Sequence, residues 1–168
     1  MLDRVPVAKI LGFLLLASLG VLGWTLAQGY ATSGGSLPAR AHITFALFGI
    51  VVVLFTHTMT LFYFVGTGSR IKKVVLEHGL RDELVERTRR YKASLFPWLT
   101  FTPLVTMAAF ILGGGAHVRV LPGWLHGGLG LLAAAMNLVT TFIAIRCIGE
   151  NVALIDEIDD LLPEGAGE

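Results

Sequence analysis

The chain alternates long uncharged stretches with short charged ones. Between Ile10 and Gly66 only Arg40 is charged, and between Ala93 and Ile145 only Arg119 is charged. About 20 residues cross the hydrocarbon layer of a membrane, so each arginine divides its stretch into two segments of spanning length. Because backbone groups in lipid must bond within their own segment, such runs form helices. The pattern predicts four transmembrane helices, near residues 8–29, 41–67, 95–114 and 123–147.

The composition agrees with a membrane protein. Hydrophobic residues make up 54% of the chain, charged residues 15%, and the mean hydropathy is +0.72, which leaves too little polar surface for a soluble fold. The apolar run from Ile10 to Ala27 is longer than that of a usual signal peptide, and no small-x-small cleavage site follows it, so we expect it to be retained. The single cysteine, Cys147, excludes an internal disulfide. The formal net charge of +1 indicates no nucleic-acid partner.

The positive charges predict the orientation. Eight basic residues lie between predicted helices two and three, whereas each of the other two connections has one. They are Arg70, Lys72, Lys73, Arg81, Arg87, Arg89, Arg90 and Lys92. Since cytoplasmic connections are enriched in Lys and Arg, this segment and both termini are predicted to be cytoplasmic. The chain carries no organelle-targeting segment, and we therefore expect a multi-pass protein of a bacterial inner membrane.

Charged segments follow the second and fourth predicted helices. The apolar spacing from Arg70 to Lys92 predicts an amphipathic continuation of helix two with a break at Gly79. Its last part, with Arg87, Arg89, Arg90 and Lys92, is predicted to meet anionic lipid headgroups. The segment after Arg146 is acidic and ends with Glu164 and Glu168, so we expect the two segments to pair, within the chain or between neighbours.

A sequence repeat divides the chain in half. "LPARAH" at 37–42 and "LPGWLH" at 121–126 lie 84 positions apart (121 − 37), and the same shift pairs Gly29 with Gly113 and Thr56 with Thr140. We therefore predict two tandem helical hairpins, residues 1–84 and 85–168, with the same orientation and an approximate twofold axis along the membrane normal. The proline of each motif marks the start of helix two or four.

The two motif histidines, His42 and His126, each begin a stripe of small residues. Steps of four and three residues along the two helices reach Ala46, Gly49, Gly130, Ala133 and Asn137. Such stripes allow close helix packing in lipid, so helices two and four are expected to face each other at the axis of the bundle. The two imidazoles would then lie at equal depth near the outer face, on opposite sides of the axis.

Three roles are open for this pair. The imidazoles can cap the outer end by bonding carbonyls or interfacial water. They can serve as the two axial ligands of a b-type haem iron, with small residues making room for the macrocycle. Zinc would require three or four ligands, and the additional nearby histidine is His117. Our specific hypothesis is one haem between His42 and His126.

A third histidine, His57, lies deep in helix two, and its equivalent position is Thr141. The arrangement resembles in part the membrane b-type cytochromes, which hold two haems through paired histidines, but here one pair is present and the other is broken. His57 can instead bond Asn137 or a threonine across the bundle, relay protons, contact a quinone, or line a polar transport path.

The sequence thus predicts an all-α integral membrane four-helix bundle with helical cytoplasmic extensions. We expect a membrane subunit of a larger assembly, with protein partners or further copies of itself in the lipid bilayer, and with an electron-transfer or anchor role. A small channel or transporter and a non-catalytic structural or assembly protein are the alternatives. No nucleophile, base and orienting residue form a recognisable set, so an enzyme is not predicted.

Overall fold

The computed structural model describes residues 4–162, and this part of the chain contains four α-helices and no strand. They are α1 (Arg4–Ser33), α2 (Ala39–Glu77), α3 (Glu83–His117) and α4 (Gly123–Leu161). Each is long and apolar enough to span a membrane, which confirms the predicted number of helices and supports the prediction of a multi-pass membrane protein. The turns after α1 and α3 lie at one end of the molecule, here called the histidine end. The turn after α2 lies at the other, here called the charged end.

The helices extend further than the predicted membrane spans. α2 ends at Glu77, and the chain turns at Gly79, whose φ of 61° ends the helix at the predicted break. The basic residues from Arg87 onward therefore belong to α3 and not to a continuation of helix two. α3 runs on through Pro97 and Pro103, because a membrane helix tolerates the loss of a backbone hydrogen bond where neighbouring groups compensate.

The helices pack in a closed ring. α1 and α3 each contact both α2 and α4, so α2 and α4 lie on opposite sides of the ring. Two glycines of the predicted α2–α4 seam pack against α1. A Cβ on Gly49 would lie 3.1 Å from Thr25 of α1, and one on Gly130 would lie 3.2 Å from Leu26 of α1. The expectation is wrong at these two positions, because the glycines admit α1 instead.

Polar side chains occupy the interior while large apolar side chains face outward. Phe13, Trp124 and Phe142 are 71%, 76% and 75% exposed. The fully or nearly fully buried polar residues are Ser18, Thr56, His57, Thr60, Thr88, Thr102, Thr106, Asn137, Thr140, Thr141 and Asn151. This distribution is typical of a protein in lipid, because apolar surface is stable there and polar groups must find partners within the protein.

Several positions 84 residues apart have similar backbone geometry. α2 and α4 each contain 39 residues, and the prolines that precede them, Pro38 and Pro122, have the same φ of −68°. This agrees with the prediction that the motif marks the helix starts. Both preceding turns contain a residue with positive φ, 74° at Gly35 and 59° at Arg119. These positions also differ by 84 (119 − 35).

Candidate histidine site

The fold brings His42 and His126 together at the histidine end. They lie near the starts of α2 and α4, on opposite sides of the four-helix arrangement. The centres of the two imidazole rings are 6.2 Å apart, with an angle of 58° between their planes. Both residues are half-buried. The two imidazoles meet as the sequence led us to expect. They do so across the middle of the four helices, and not at a direct contact between α2 and α4.

A glycine packs behind each imidazole. Gly29 of α1 and Gly113 of α3 each precede their histidine by 13 positions (42 − 29 and 126 − 113). A Cβ on Gly29 would lie 3.3 Å from Cε1 of His42, and a Cβ on Gly113 would lie 2.7 Å from Cε1 of His126. Because these positions carry no side chain, each imidazole packs directly against the neighbouring helix, α1 or α3.

A backbone carbonyl fixes one ring. Nδ1 of His126 lies 3.0 Å from the carbonyl oxygen of Ala109, so this nitrogen carries the proton and donates it. Nε2 of His126 then has a lone pair. Nδ1 of His42 is buried without a partner of normal hydrogen-bond geometry, and the carbonyl of Thr25, at the position equivalent to Ala109, is the backbone acceptor beside this ring.

Two further polar atoms at the same end lack partners. Four buried side-chain nitrogen or oxygen atoms in the described part of the chain make no hydrogen bond. One is Nδ1 of His42, and two others are Oε1 of Gln28 and Oγ1 of Thr32, in the last turns of α1. The fourth, Nε2 of His57, lies deeper in α2. Unpaired polar groups therefore concentrate where α1 meets His42.

His57 and His117 do not join the pair. His57 is 3% exposed, its Nδ1 lies 2.9 Å from the carbonyl of Val53 in its own helix, and its Nε2 has no hydrogen-bond partner. The predicted alternative of a bond to Asn137 or a threonine across the bundle is therefore wrong. Asn137 instead donates to Thr106 of α3. His117 is exposed at the end of α3. Residues 4–162 contain no group of three or more His, Cys, Asp or Glu side chains placed to hold a metal ion, so the pair offers two ligands.

At the charged end, basic and acidic side chains pair within the chain, as predicted for the two extensions. Glu157 of α4 accepts from Arg87 of α3 and lies 3.8 Å from Arg81. Arg89 pairs with Glu86 in the same helix. Of the predicted lipid-binding residues, this leaves Arg90 exposed and Lys92 packed against Gly68 of α2. The acidic residues Glu164 and Glu168 lie outside the described residues.

A buried network near the charged end was not predicted. Asn151 of α4 is fully buried, accepts a hydrogen bond from the hydroxyl of Tyr91 in α3, and donates to the hydroxyl of Tyr63 in α2 at 2.9 Å. It thereby joins three helices. The sequence signal was an amide and two phenols in apolar surroundings, but their spacing along the chain does not show that they meet.

Comparisons with known proteins do not identify a relative. A scan against protein-family models found no matching family, and searches of curated proteins and of solved structures found no match.

Proposed function

We propose that the chain is a duplicated helical hairpin that spans a bacterial inner membrane with the charged end in the cytoplasm. The equal lengths of α2 and α4 and the matching turns at Gly35 and Arg119 support the duplication. The concentration of Lys and Arg around the turn after α2 supports the orientation. The histidine end then faces the outer side of the membrane.

Within this bundle, we propose that His42 and His126 are the axial ligands of one b-type haem. The observation that carries the proposal is the distance of 6.2 Å between the two ring centres. A metal–imidazole bond is about 2 Å long and the bonding nitrogen lies roughly 1 Å from its ring centre, so two imidazoles on opposite sides of one ion have centres roughly 6 Å apart. Rings in direct contact also have centres roughly 4.5–7 Å apart, so the distance agrees with the proposal without being specific to it.

The surroundings of the pair favour the same assignment. The bond from Nδ1 of His126 to Ala109 selects the tautomer whose Nε2 can bind iron, and such a bond to the second nitrogen is usual for metal-binding histidines. Gly29 and Gly113 leave the rings room beside α1 and α3. The two-ligand set suits haem, whose macrocycle supplies the remaining ligands, better than zinc.

When bound, haem supplies one-electron transfer. The chain's own residues would hold the iron between two neutral imidazoles, fix one ring through Ala109 and keep the site within helices that are apolar outside. These roles match those of a membrane electron-transfer or anchor subunit in a larger assembly.

An absorption spectrum of the purified protein tests the proposal. We expect a Soret band with the sharp reduced bands of two-histidine ligation, and we expect His42→Ala and His126→Ala each to reduce haem content at least tenfold. His78→Ala is the matched control, because His78 is exposed at the charged end. A colourless protein after growth with sufficient haem, or full haem content in both variants, would contradict the assignment.

A transport path through His57 is the second candidate, and it is favoured by the buried, unpartnered Nε2 of this residue. Several neighbouring hydroxyls already bond within the protein. The hydroxyl oxygens of Thr102 and Thr140 are hydrogen-bonded at 2.7 Å, and the hydroxyl of Thr106 donates to the backbone carbonyl of Thr102. These bonds reduce the number of groups that could line a continuous path, so we rank transport below haem binding.

Proton flux into liposomes separates this candidate from the first. Transport predicts a flux that is lost in His57→Ala and kept in His42→Ala. Haem binding predicts unchanged haem content in His57→Ala. A colourless protein that transports nothing and purifies with stoichiometric partners would instead support a purely structural or assembly role.

A further inference from the structure

An open groove lies between α2 and α3 at the charged end of the molecule. Its volume is about 350 Å³, and it has one apolar residue on each wall, Leu76 of α2 and Val85 of α3. Leu76 is 66% exposed, although it lies nine positions beyond the second predicted membrane span (76 − 67). The groove therefore presents apolar surface outside the hydrocarbon layer. Its other lining residues are charged, and they are Lys72, Asp82, Glu83, Glu86 and Arg89.

Gly68 and Lys92 close the groove on the side of the membrane. Gly68 lies one helical turn from Lys72 along α2, and Lys92 lies nearly one turn from Arg89 along α3. The ammonium group of Lys92 packs against Gly68, where a Cβ would lie 2.6 Å from Cε of the lysine. The missing side chain at position 68 thus leaves the space in which Lys92 reaches from α3 to α2.

Lys92 has no ion-pair partner among the side chains that the structure describes. The neighbouring arginines do have partners, since Arg87 pairs with Glu157 and Arg89 pairs with Glu86. Lys92 is half-buried and lies three positions before the third predicted membrane span (95 − 92), which places it at the level of the lipid headgroups. A cation at this level attracts the phosphate group of a lipid.

The charges along the α3 wall are ordered by depth. Lys92 and Arg89 lie nearest the membrane. Glu86 and Glu83 follow at intervals of three residues toward the start of the helix, and each interval is about 4.5 Å long at 1.5 Å per residue. Lys72 faces this wall from α2. The α3 wall is therefore positive on the membrane side and negative on the side of the water.

A phospholipid headgroup that ends in an ammonium group has the complementary order of charges. Its phosphate lies beside the glycerol at the edge of the hydrocarbon layer, and its ammonium group follows two carbon atoms further out. The separation of the two charges is comparable with one helical turn of about 5 Å. The phosphate can therefore meet Lys92 and Arg89 while the ammonium group meets Glu86 and Glu83.

Other common headgroups match the groove less well. A glycerol headgroup carries the phosphate charge alone, so it would leave both glutamates without a cationic partner and would be repelled by them. A choline headgroup carries a positive charge, but its methylated nitrogen has no N–H group to donate a charge-assisted hydrogen bond to a carboxylate. The groove thus favours a primary ammonium group.

We propose that the groove between α2 and α3 binds one phospholipid of the phosphatidylethanolamine class. Lys92 and Arg89 bind its phosphate, and Glu86 and Glu83 accept hydrogen bonds from its ammonium group. Arg89 and Glu86 already bond each other at 3.3 Å, so the headgroup extends this pair into a cluster of alternating charges. The inference goes beyond haem binding and does not depend on it, because the groove lies at the opposite end of the helices.

The test compares three lipids with identical acyl chains. The full chain in detergent is titrated with phosphatidylethanolamine, phosphatidylcholine or phosphatidylglycerol, and bound lipid is measured by native mass spectrometry. We expect phosphatidylethanolamine to bind about fivefold more tightly than either of the other lipids, which is the effect of roughly one additional charge interaction at the membrane surface.

Two variants separate the two ends of the headgroup. Lys92→Gln should weaken the binding of all three lipids about fivefold, because their common phosphate loses a charged partner. Glu83→Gln/Glu86→Gln should remove the preference for phosphatidylethanolamine but keep the binding of phosphate. Arg90→Gln and Glu77→Gln are the matched controls, since both residues are exposed at the charged end and neither lines the groove.

Equal binding of the three lipids by the unmodified protein would overturn the inference. A preference for phosphatidylglycerol that persists in Glu83→Gln/Glu86→Gln would also overturn it, because it would indicate a general attraction of the basic residues to anionic lipid. The same holds for equal losses in Lys92→Gln and Arg90→Gln. Haem content is measured separately and should be the same in all of these variants, so a failure here is distinct from a failure of the proposed function.

Discussion

Arg119 has a left-handed backbone conformation at the position where the first hairpin has Gly35. The φ values are 59° and 74°. In each turn, the residue with positive φ donates its backbone N–H to the carbonyl three positions back, Thr32 or Ala116, at 3.1 Å. Glycine adopts this conformation without steric cost, whereas a residue with a Cβ is strained by about 1–2 kcal/mol. The second hairpin therefore stores strain that the first does not.

We expect Arg119→Gly to stabilise the protein by about 1 kcal/mol, since it removes this strain. Gly35→Ala should destabilise it by a similar amount. Thermal unfolding in detergent, followed by circular dichroism, measures both effects. Gly12→Ala is the control, because Gly12 is helical and a Cβ there would meet no atom within 4 Å. Equal melting temperatures for Gly35→Ala and Gly12→Ala would show that the turn is not strained by a side chain.

The glycines behind the histidines should differ in their tolerance of a methyl group. A Cβ at position 113 would lie 2.7 Å from the His126 ring, against 3.3 Å at position 29 from the His42 ring. We expect Gly113→Ala to destabilise the protein by about 1–3 kcal/mol, as overpacking does, and Gly29→Ala to cost less. Gly114→Ala, with open space around it, serves as the control. A larger loss of stability in Gly29→Ala than in Gly113→Ala would contradict this order.

At this scale, the repeated Leu-Pro-x-x-x-His motif made the histidine pair predictable. It placed both residues at helix starts and at one depth. The contacts of Gly29 and Gly113 were not predictable, although the repeat had aligned these residues, because sequence spacing does not tell which face of α1 or α3 meets which helix. The buried, unpaired polar atoms of Gln28 and Thr32 were not predictable for the same reason.

Among the helices, Asn151 joins three, whereas Asn137 bonds one neighbouring helix and its own backbone. Asn151 bonds Tyr91 of α3 and Tyr63 of α2 from its place in α4. The cost of removing it has two parts, the lost bonds and the phenol groups left without this partner. The network lies toward the charged end, so it fixes the relative positions of three helices there.

Asn151→Ala should lower the free energy of unfolding by about 1–3 kcal/mol, because it removes both bonds and opens a small cavity. Tyr91→Phe should cost less, since the ring and its packing against Phe64 remain. Chemical unfolding in mixed micelles measures both values. An effect of Asn151→Ala no larger than that of Tyr91→Phe would indicate that Asn151 does not join the helices energetically.

The existence and number of the helices followed from the hydrophobic pattern. At the boundary between α2 and α3, the end of α2 was predicted but the start of α3 was not. Gly79 marked the break. The segment beyond it was assigned to the preceding helix because its apolar spacing continues across the turn. Charged residues such as Arg87 end a membrane span without ending a helix, so a hydropathy pattern finds where the lipid stops and not where the helix begins.

For the molecule as a whole, orientation is the property that the sequence predicts and the fold alone does not test. In a Cys147→Ser background, we expect His78→Cys to be protected from a membrane-impermeant thiol reagent in intact cells, and Ser36→Cys to be labelled. Both positions are exposed, so accessibility within the protein does not limit the reaction. Labelling with the reverse pattern would place the histidine end in the cytoplasm and contradict the proposed orientation.

The order of the four helices in the ring was not predictable from the repeat. A twofold axis is compatible both with α2 against α4 at the centre and with all four helices around it. Small residues allow either packing, since Gly49 and Gly130 can admit any neighbour. The choice depends on side chains such as Val21 and Leu26 of α1, which fill the space beside these glycines.

The histidine pair lies close to one end of the helices. His42 lies four positions into a 39-residue helix, about 5 Å from its start at 1.5 Å per residue. A redox centre at this depth is within short tunnelling range of a donor or acceptor on the near side of the membrane. The far side lies beyond nearly the whole hydrocarbon layer, about 30 Å thick, and tunnelling rates fall steeply with distance. Under the proposed function, electrons would therefore be exchanged on the near side of the membrane.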